Sequence, residues 1–276
     1  SSVTGYSSQA YGSTQLEGIY SHVLDGTDDR LKSPLGALTG KRSAPGDVVT
    51  TIDPDVQKAA SDALGDDKGA AVAIDPRSGQ ILGMVSSPSY DPSDISGTDD
   101  GDTWKKLLDD PDKPLVNRAM RQPLAPGSTF KLVVASAALE NGLYDSVDEP
   151  TKSPVPYTLP GTSTPLRNES ASAPCENASL RVALQYSCNN VFGKAAADLG
   201  QDKVRAMAEK FGFNDEKLDV PVRASRSVYP TGMDKAQTAL SGIGQCEVTA
   251  TPLQMATVSA ALANGGELAA PHMVSK

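Results

Sequence analysis

The stretch PGSTFKLVVASAALENG, residues 126–142, constrains this chain more than any other. Leu132, Val133, Ala135, Ser136, Ala137, Ala138 and Leu139 leave it few polar positions. A helix with that pattern has little face to offer water and must be buried nearly all round. Pro126 and Gly127 break the segment before it, and Gly142 ends it. Such a helix needs packed neighbours on every side, hence a sizeable core. A chain of 276 residues, 38% of them hydrophobic and 21% charged, can supply one.

The neighbours are legible in part. VVTTI, residues 48–52, reads as a short strand. Asp53 then stands as an N-cap with Pro54 in the first turn. Val56, Ala59, Ala60, Ala63 and Leu64 form one apolar face up to Gly65. AAVAID (70–75), a PRSG turn and QILGMVSS (80–87) predict a β-hairpin buried on at least one face, with Gly79 suited to positive φ. DTWKKLLDD, residues 102–110, predicts a surface helix. Residues 145–178 are rich in Pro, Ser, Thr and Asn and read as loop with short strands. Helical periodicity returns in 179–187, 189–200 and 202–213. Thr251, Pro252 and Gln254 read as a capping box that opens a last helix, stopped at Gly265. A hairpin followed by many helices implies an α+β fold, an antiparallel β-sheet flanked by helices with a mostly helical subdomain. Further strands of that sheet are poorly represented. Residues 1–47, with DGTDDR and GALTGKRSAPGD, read as a linker or the remnant of a preceding domain.

Net charge is −9, and no basic run exists, which argues against nucleic acid as a partner. His22 and His272 are the two histidines, and Cys175, Cys188 and Cys246 form no CxxC pair, so no metal site or cofactor is expected. Cys175 and Cys188 bracket one small segment. Either they form a disulfide, which fits an oxidising compartment, or all three thiols are separate. No run of apolar residues is long enough to span a membrane. The opening SSVTGYSSQAYGS reads as the middle of a longer, membrane-anchored protein, against the alternative of a complete cytosolic one.

Ser128 and Lys131 lie three apart, on one helical face. The start of a helix favours a developing negative charge, and burial disfavours a protonated lysine. A lysine of lowered pKa can take the proton of a serine and make it a nucleophile. The bland alternative is a capping serine followed by a snorkelling lysine. Against it, a lysine inside a nearly all-apolar helix is costly unless neutral or paired. Ser187 and Asn189 sit between two helices, where a loop can present a second proton-relaying hydroxyl and a donor–acceptor amide. Their bland reading is helix capping.

PGSTFK (126–131) and YSCNNVF (186–192) together resemble the first two active-site motifs of the penicillin-binding transpeptidases. GAAVAIDPRSGQILGMVSSPSYDP resembles that family's first hairpin, NRAMRQPLAPGSTFK its approach to the nucleophile, and SGIGQ with TATPLQMATVSAALANGG its late helical region. The likeness runs from about residue 48 to 276 and is nearest the monofunctional (class B) branch of actinobacteria. It implies a transpeptidase domain over 48–276. Ser128 would attack the penultimate D-Ala carbonyl of a stem peptide ending in D-Ala-D-Ala, with Lys131 as general base. Ser187 would pass a proton to the departing D-Ala, and Asn189 would hold the substrate backbone. β-Lactams would acylate Ser128. Implied partners are peptidoglycan stem peptides, β-lactams and a membrane glycosyltransferase. The implied place is the outer face of the bacterial membrane, on an N-terminal anchor outside this chain.

One departure stands out. The family's third motif, Lys-Thr/Ser-Gly on a strand lining the site, does not occur, and the chain ends at Lys276 near where later strands of the sheet should begin. The expectation is a domain incomplete at its C-terminus and short of full competence, since one lost oxyanion donor costs about 10²–10³ in rate. Competing readings are a serine β-lactamase or β-lactam sensor, a D,D-carboxypeptidase, and a non-catalytic scaffold. No Glu-x-x-Leu-Asn pattern of one β-lactamase class is present. A Ser-His-Asp hydrolase is disfavoured, since nothing places either histidine near a serine.

Overall fold

A computed structural model describes residues 1–28, 30, 44–97, 100–216, 218 and 220–275. Most of GALTGKRSAPGD and the terminal Lys276 lie outside the described residues. Two compact units are present. The first comprises 1–122, 217–225 and 263–276; the second comprises 123–216 and 226–262.

The first unit is built on the hairpin. Strands Gly69–Ile74 and Ile81–Ser87 pair antiparallel, Ala70 opposite Ser86 and Val72 opposite Met84, with an irregularity between Ala73 and Ile74. Gly79 has φ +77°, and a Cβ there would lie 2.3 Å from the Ala270 carbonyl oxygen, so only glycine fits this turn. The close approach lets residues 270–274 lie along it. His272 N donates to Gly79 O (2.9 Å) and Ile81 N to His272 O (2.8 Å). The expected strand at 48–52 is reduced to one bridge, Thr50 with Val274, flanked by a bond from Thr51 N to Met273 O (3.0 Å).

Helix Pro54–Leu64 starts as anticipated. The Asp53 carboxylate accepts from the N–H groups of Asp55 and Val56. Its apolar face is narrower than the sequence suggests. Val56, Ala60 and Leu64 are half-buried, but Ala59 and Ala63 are exposed. Gln57 takes part of the docking instead, its amide exchanging two hydrogen bonds with the Met84 backbone (2.8 and 2.7 Å). The polar opening of the chain is packed where it is described. It forms short strands Ser7–Ser8 and Gly12–Ser13 and helix Gln15–Ile19, and it contributes two tyrosines to a ring cluster. In it Tyr11 stacks on Trp104 at 4.4 Å and Tyr6 meets that ring edge-on at 5.6 Å. Trp104 sits on helix Gly101–Asp109, which buries no residue fully.

The second unit is mostly helical. Helix Lys131–Glu140 runs through its core, burying Lys131, Val133, Val134, Ala135, Ala137 and Ala138. Against it pack helices Asn189–Leu199 and Gln201–Lys210, with Val191, Phe192, Ala195, Val204 and Ala208 buried. Phe130 lies between Tyr229, stacked at 5.7 Å, and Phe213, edge-on at 5.5 Å. The only strands in the 145–178 loops among the described residues are Tyr157–Thr158 and Pro165–Leu166. Helix Pro252–Ala263 begins at Thr251, whose hydroxyl accepts from Gln254 N (3.1 Å). The expected capping box is only half made, because Gln254 Nε2 donates to the Phe211 carbonyl (2.6 Å) instead. A complete box forms at Asp234 and Gln237, opening helix Lys235–Ser241.

The fold is thus α+β, and the described strands form three two-stranded antiparallel ladders. Among the described residues no helix is long and apolar enough to cross a membrane.

Candidate active site

Ser128 does not open the α-helix itself. It lies in a 3-10 turn, Gly127–Phe130, that runs into the helix at Lys131. In a 3-10 turn side chains three apart eclipse one another, so the turn aligns Ser128 above Lys131 more closely than an α-turn would. Gly127, with φ +54°, starts the turn. It is clamped from the SGIGQ segment: Gly127 N donates to Gly244 O (3.2 Å). A Cβ on Gly244, whose φ is +70°, would stand 2.2 Å from Gly127 O. Two backbones touch here, which accounts for the glycine at 244; at 127 the positive φ does so.

Ser187, Cys188 and Asn189 form the turn between helices Leu180–Gln185 and Asn189–Leu199. Ser187 has φ +54°, a region that a serine seldom occupies. It does not cap the following helix; Cys188 holds the N-cap position. The Ser187 hydroxyl is turned the other way and donates to Ser128 Oγ (3.0 Å).

Lys131 joins the two turns. Its side chain is 1% exposed, and its amine bonds to Ser187 O (2.8 Å), Ser187 Oγ (2.9 Å) and Asn189 Oδ1 (2.7 Å). The Phe192 ring lies 5.9 Å from the amine. Burial holds the amine down at about 8, against an upward pull from the Glu169 carboxylate. The amine reaches Ser128 through Ser187 in this geometry. Two of its three partners are carbonyl oxygens, which accept only; the third is a hydroxyl, which can donate as well. A neutral Lys131 can therefore keep both carbonyl bonds and receive the Ser187 proton on its lone pair. Ser187 can at the same moment receive the proton of Ser128. Ser128 itself is exposed, so its oxygen faces solvent while its base does not.

The Asn189 amide is engaged at both ends, since its Nδ2 donates to Arg167 O (2.9 Å). Cys175 and Cys188 are joined, with S–S 2.00 Å and Cα–Cα 5.5 Å, and Cys246 is free. All four residues singled out for chemistry, Ser128, Lys131, Ser187 and Asn189, therefore meet. Sequence reasoning passes over several supports. Tyr229 bonds Ser241 Oγ (2.8 Å) and stacks on the Phe130 ring, the Glu169 carboxylate acts on the Lys131 amine, and Asn190 follows Asn189 into the core. No periodicity marks these positions; SGIGQ alone carried a signal, through its resemblance.

Comparison with known proteins agrees. The penicillin binding protein transpeptidase domain matches residues 69–276. The peptidoglycan D,D-transpeptidase PbpA of Mycolicibacterium smegmatis is 39% identical over 99% of this chain and 57% of its own length. This chain thus spans little more than half of that relative. The crystal structure of PBPA from Mycobacterium tuberculosis superposes with TM-score 0.91 at 36% identity, covering 99% of this chain and 65% of that one. The penicillin G acyl-enzyme complex of the same mycobacterial protein gives 0.88, at 36% identity over 99% of this chain and 65% of that one. With a motif pair folded into one hydrogen-bonded cluster, a family match over residues 69–276 and relatives that match 99% of this chain, the chain belongs to the penicillin-binding protein transpeptidase family.

Proposed function

We propose that this chain carries the acyl-transfer site of a peptidoglycan D,D-transpeptidase, and that β-lactams acylate the same serine. Ser128 Oγ attacks the carbonyl of the penultimate D-Ala. Its proton passes through Ser187 to Lys131, the peptide C–N bond breaks, and Lys131 returns a proton through Ser187 to the departing D-Ala amine. An amine from a second stem peptide then displaces Ser128 and forms the cross-link. Asn189 holds Lys131 through Oδ1 and offers its second N–H to the substrate backbone. The observation that carries this reading is the buried Lys131 amine tied to Ser187 Oγ, itself 3.0 Å from the exposed Ser128 Oγ. The acyl-enzyme complex of the mycobacterial relative supports the β-lactam half of it.

The domain we assign runs over 48–276. It acts on the outer face of the cell membrane beside a membrane glycosyltransferase; the Cys175–Cys188 bond supports an oxidising location. Intact mass after penicillin treatment tests the assignment. One adduct on Ser128, abolished in Ser128→Ala, is expected. A covalent adduct that survives Ser128→Ala would overturn it, and rapid turnover of a chromogenic cephalosporin would favour a β-lactamase.

A further inference from the structure

We infer that Asn190 and the Cys175–Cys188 disulfide act as one clamp that sets Ser187 and Asn189, making Asn190 a positioning residue for the acyl transfer proposed above, on which this inference rests. The Ser187 hydroxyl has to face Ser128 and Lys131 at once, from a backbone in the left-handed region. Such a conformation persists only where its surroundings over-determine it. On one side, the turn is held to the preceding helix by Ser187 N on Leu184 O (3.3 Å) and Cys188 N on Ala183 O (2.8 Å).

On the other side, three consecutive residues reach the 153–177 loops, each by different chemistry. Cys188 bonds Cys175 through sulfur. Asn189 Nδ2 donates to Arg167 O. Asn190, 0% exposed, donates from Nδ2 to Cys175 O (2.9 Å) and Pro154 O (3.1 Å), and its backbone N–H is taken by Asn168 Oδ1 (3.2 Å). Cys175 is thus gripped at its sulfur by residue 188 and at its carbonyl by residue 190, on either side of the functional Asn189. Asn190 Oδ1 is buried with no partner among the described residues. An orphaned buried oxygen opposes stability, so an amide at this position is better explained by where its N–H groups hold the turn than by what it adds to the core.

The test uses the intact protein as wild type, Asn190→Ala, the Cys175→Ser/Cys188→Ser pair, and all three changes together. Penicillin acylation is followed against pH, and hydrogen exchange of residues 186–190 is measured without penicillin. Each change should slow acylation about 10–10²-fold, the scale set by a displacement near 1 Å. Each should also raise the pH of half-maximal acylation, because a loosened turn wets Lys131, and should speed exchange at 186–190. The combined variant should be no slower than the worse of the two, since both act through one clamp. A merely structural role would lower the melting temperature and leave the pH midpoint in place; that result, or effects that multiply, overturns the clamp. If Asn190→Ala does not fold, the reduced wild type carries the same comparison. A wild type that takes no adduct at Ser128 defeats the proposed function, while unprotected amides at 186–190 in both variants still support the clamp.

Discussion

The turn that bears Ser128 and the turn that bears Ser187 present hydroxyls 3.0 Å apart, yet they are built by opposite means. The first is held by apolar packing. Phe130 is wedged between Tyr229 and Phe213, the helix that follows is buried on most sides, and Gly127 rests on Gly244. The second is held by a covalent bond, a buried amide and a backbone in an uncommon conformation. Packing distributes its cost over many weak contacts, so single losses are tolerated; a polar clamp concentrates position in a few groups. The nucleophile can therefore stand exposed on a firm base, while the relay beside it depends on specific partners.

This contrast can be broken at several points. Lys131→Met removes the group the two turns share, and acylation should fall about 10²–10⁴-fold with the fold retained, as read by penicillin labelling and circular dichroism. Retention of the wild-type rate would mean that the serines need no amine. Gly244→Ala attacks the packed turn at its one backbone-on-backbone contact. We expect a loss of about 1–3 kcal/mol in denaturant unfolding together with slower labelling; an unaffected protein would show that the turn yields easily. The third arm is pH. With the Lys131 amine at about 8, acylation should fall about tenfold for each pH unit below that value and level off above it. Glu169→Gln removes the charge that pulls the amine upward, so the midpoint should move down and the rate near neutrality should rise; a midpoint that rises instead contradicts the electrostatics. The smallest effect belongs to Thr251→Ala, which deletes a helix cap that bonds no residue of either turn. It should cost about 1 kcal/mol in thermal unfolding and leave labelling unchanged.

Much of the packed turn was legible in the sequence, because it depends on regularities that composition exposes. An apolar run bounded by Pro126, Gly127 and Gly142 identifies the buried helix, and the anomaly of Lys131 within it marks the site. The hairpin and the Asp53 cap were readable for the same reason. The clamp was only half readable. Its cysteines drew notice by their spacing, with the free-thiol alternative open, and Asn190 drew none. A single buried amide has no periodicity, and its partners lie 15 to 36 residues away on loops without a pattern. The same limit explains Gln254 and Gln57, whose amides reach distant carbonyls in place of the local cap or apolar contact that neighbouring residues suggest. The strand at 48–52 shrank to one bridge because its partner, 270–274, has no strand-like run of its own.

The nesting of the two units has a consequence for how the chain acquires its shape as it is made. The unit with the reactive serine lies within residues 123–262, whereas the hairpin unit draws in residues 263–276 as well. Thr51 and His272, whose side chain and carbonyl meet at 3.2 Å, are 221 positions apart. Loop closure over that span must await the synthesis of residue 272. During synthesis residues 123–262 should accordingly come together before the hairpin and its flanking helix lock onto the 270–274 strap.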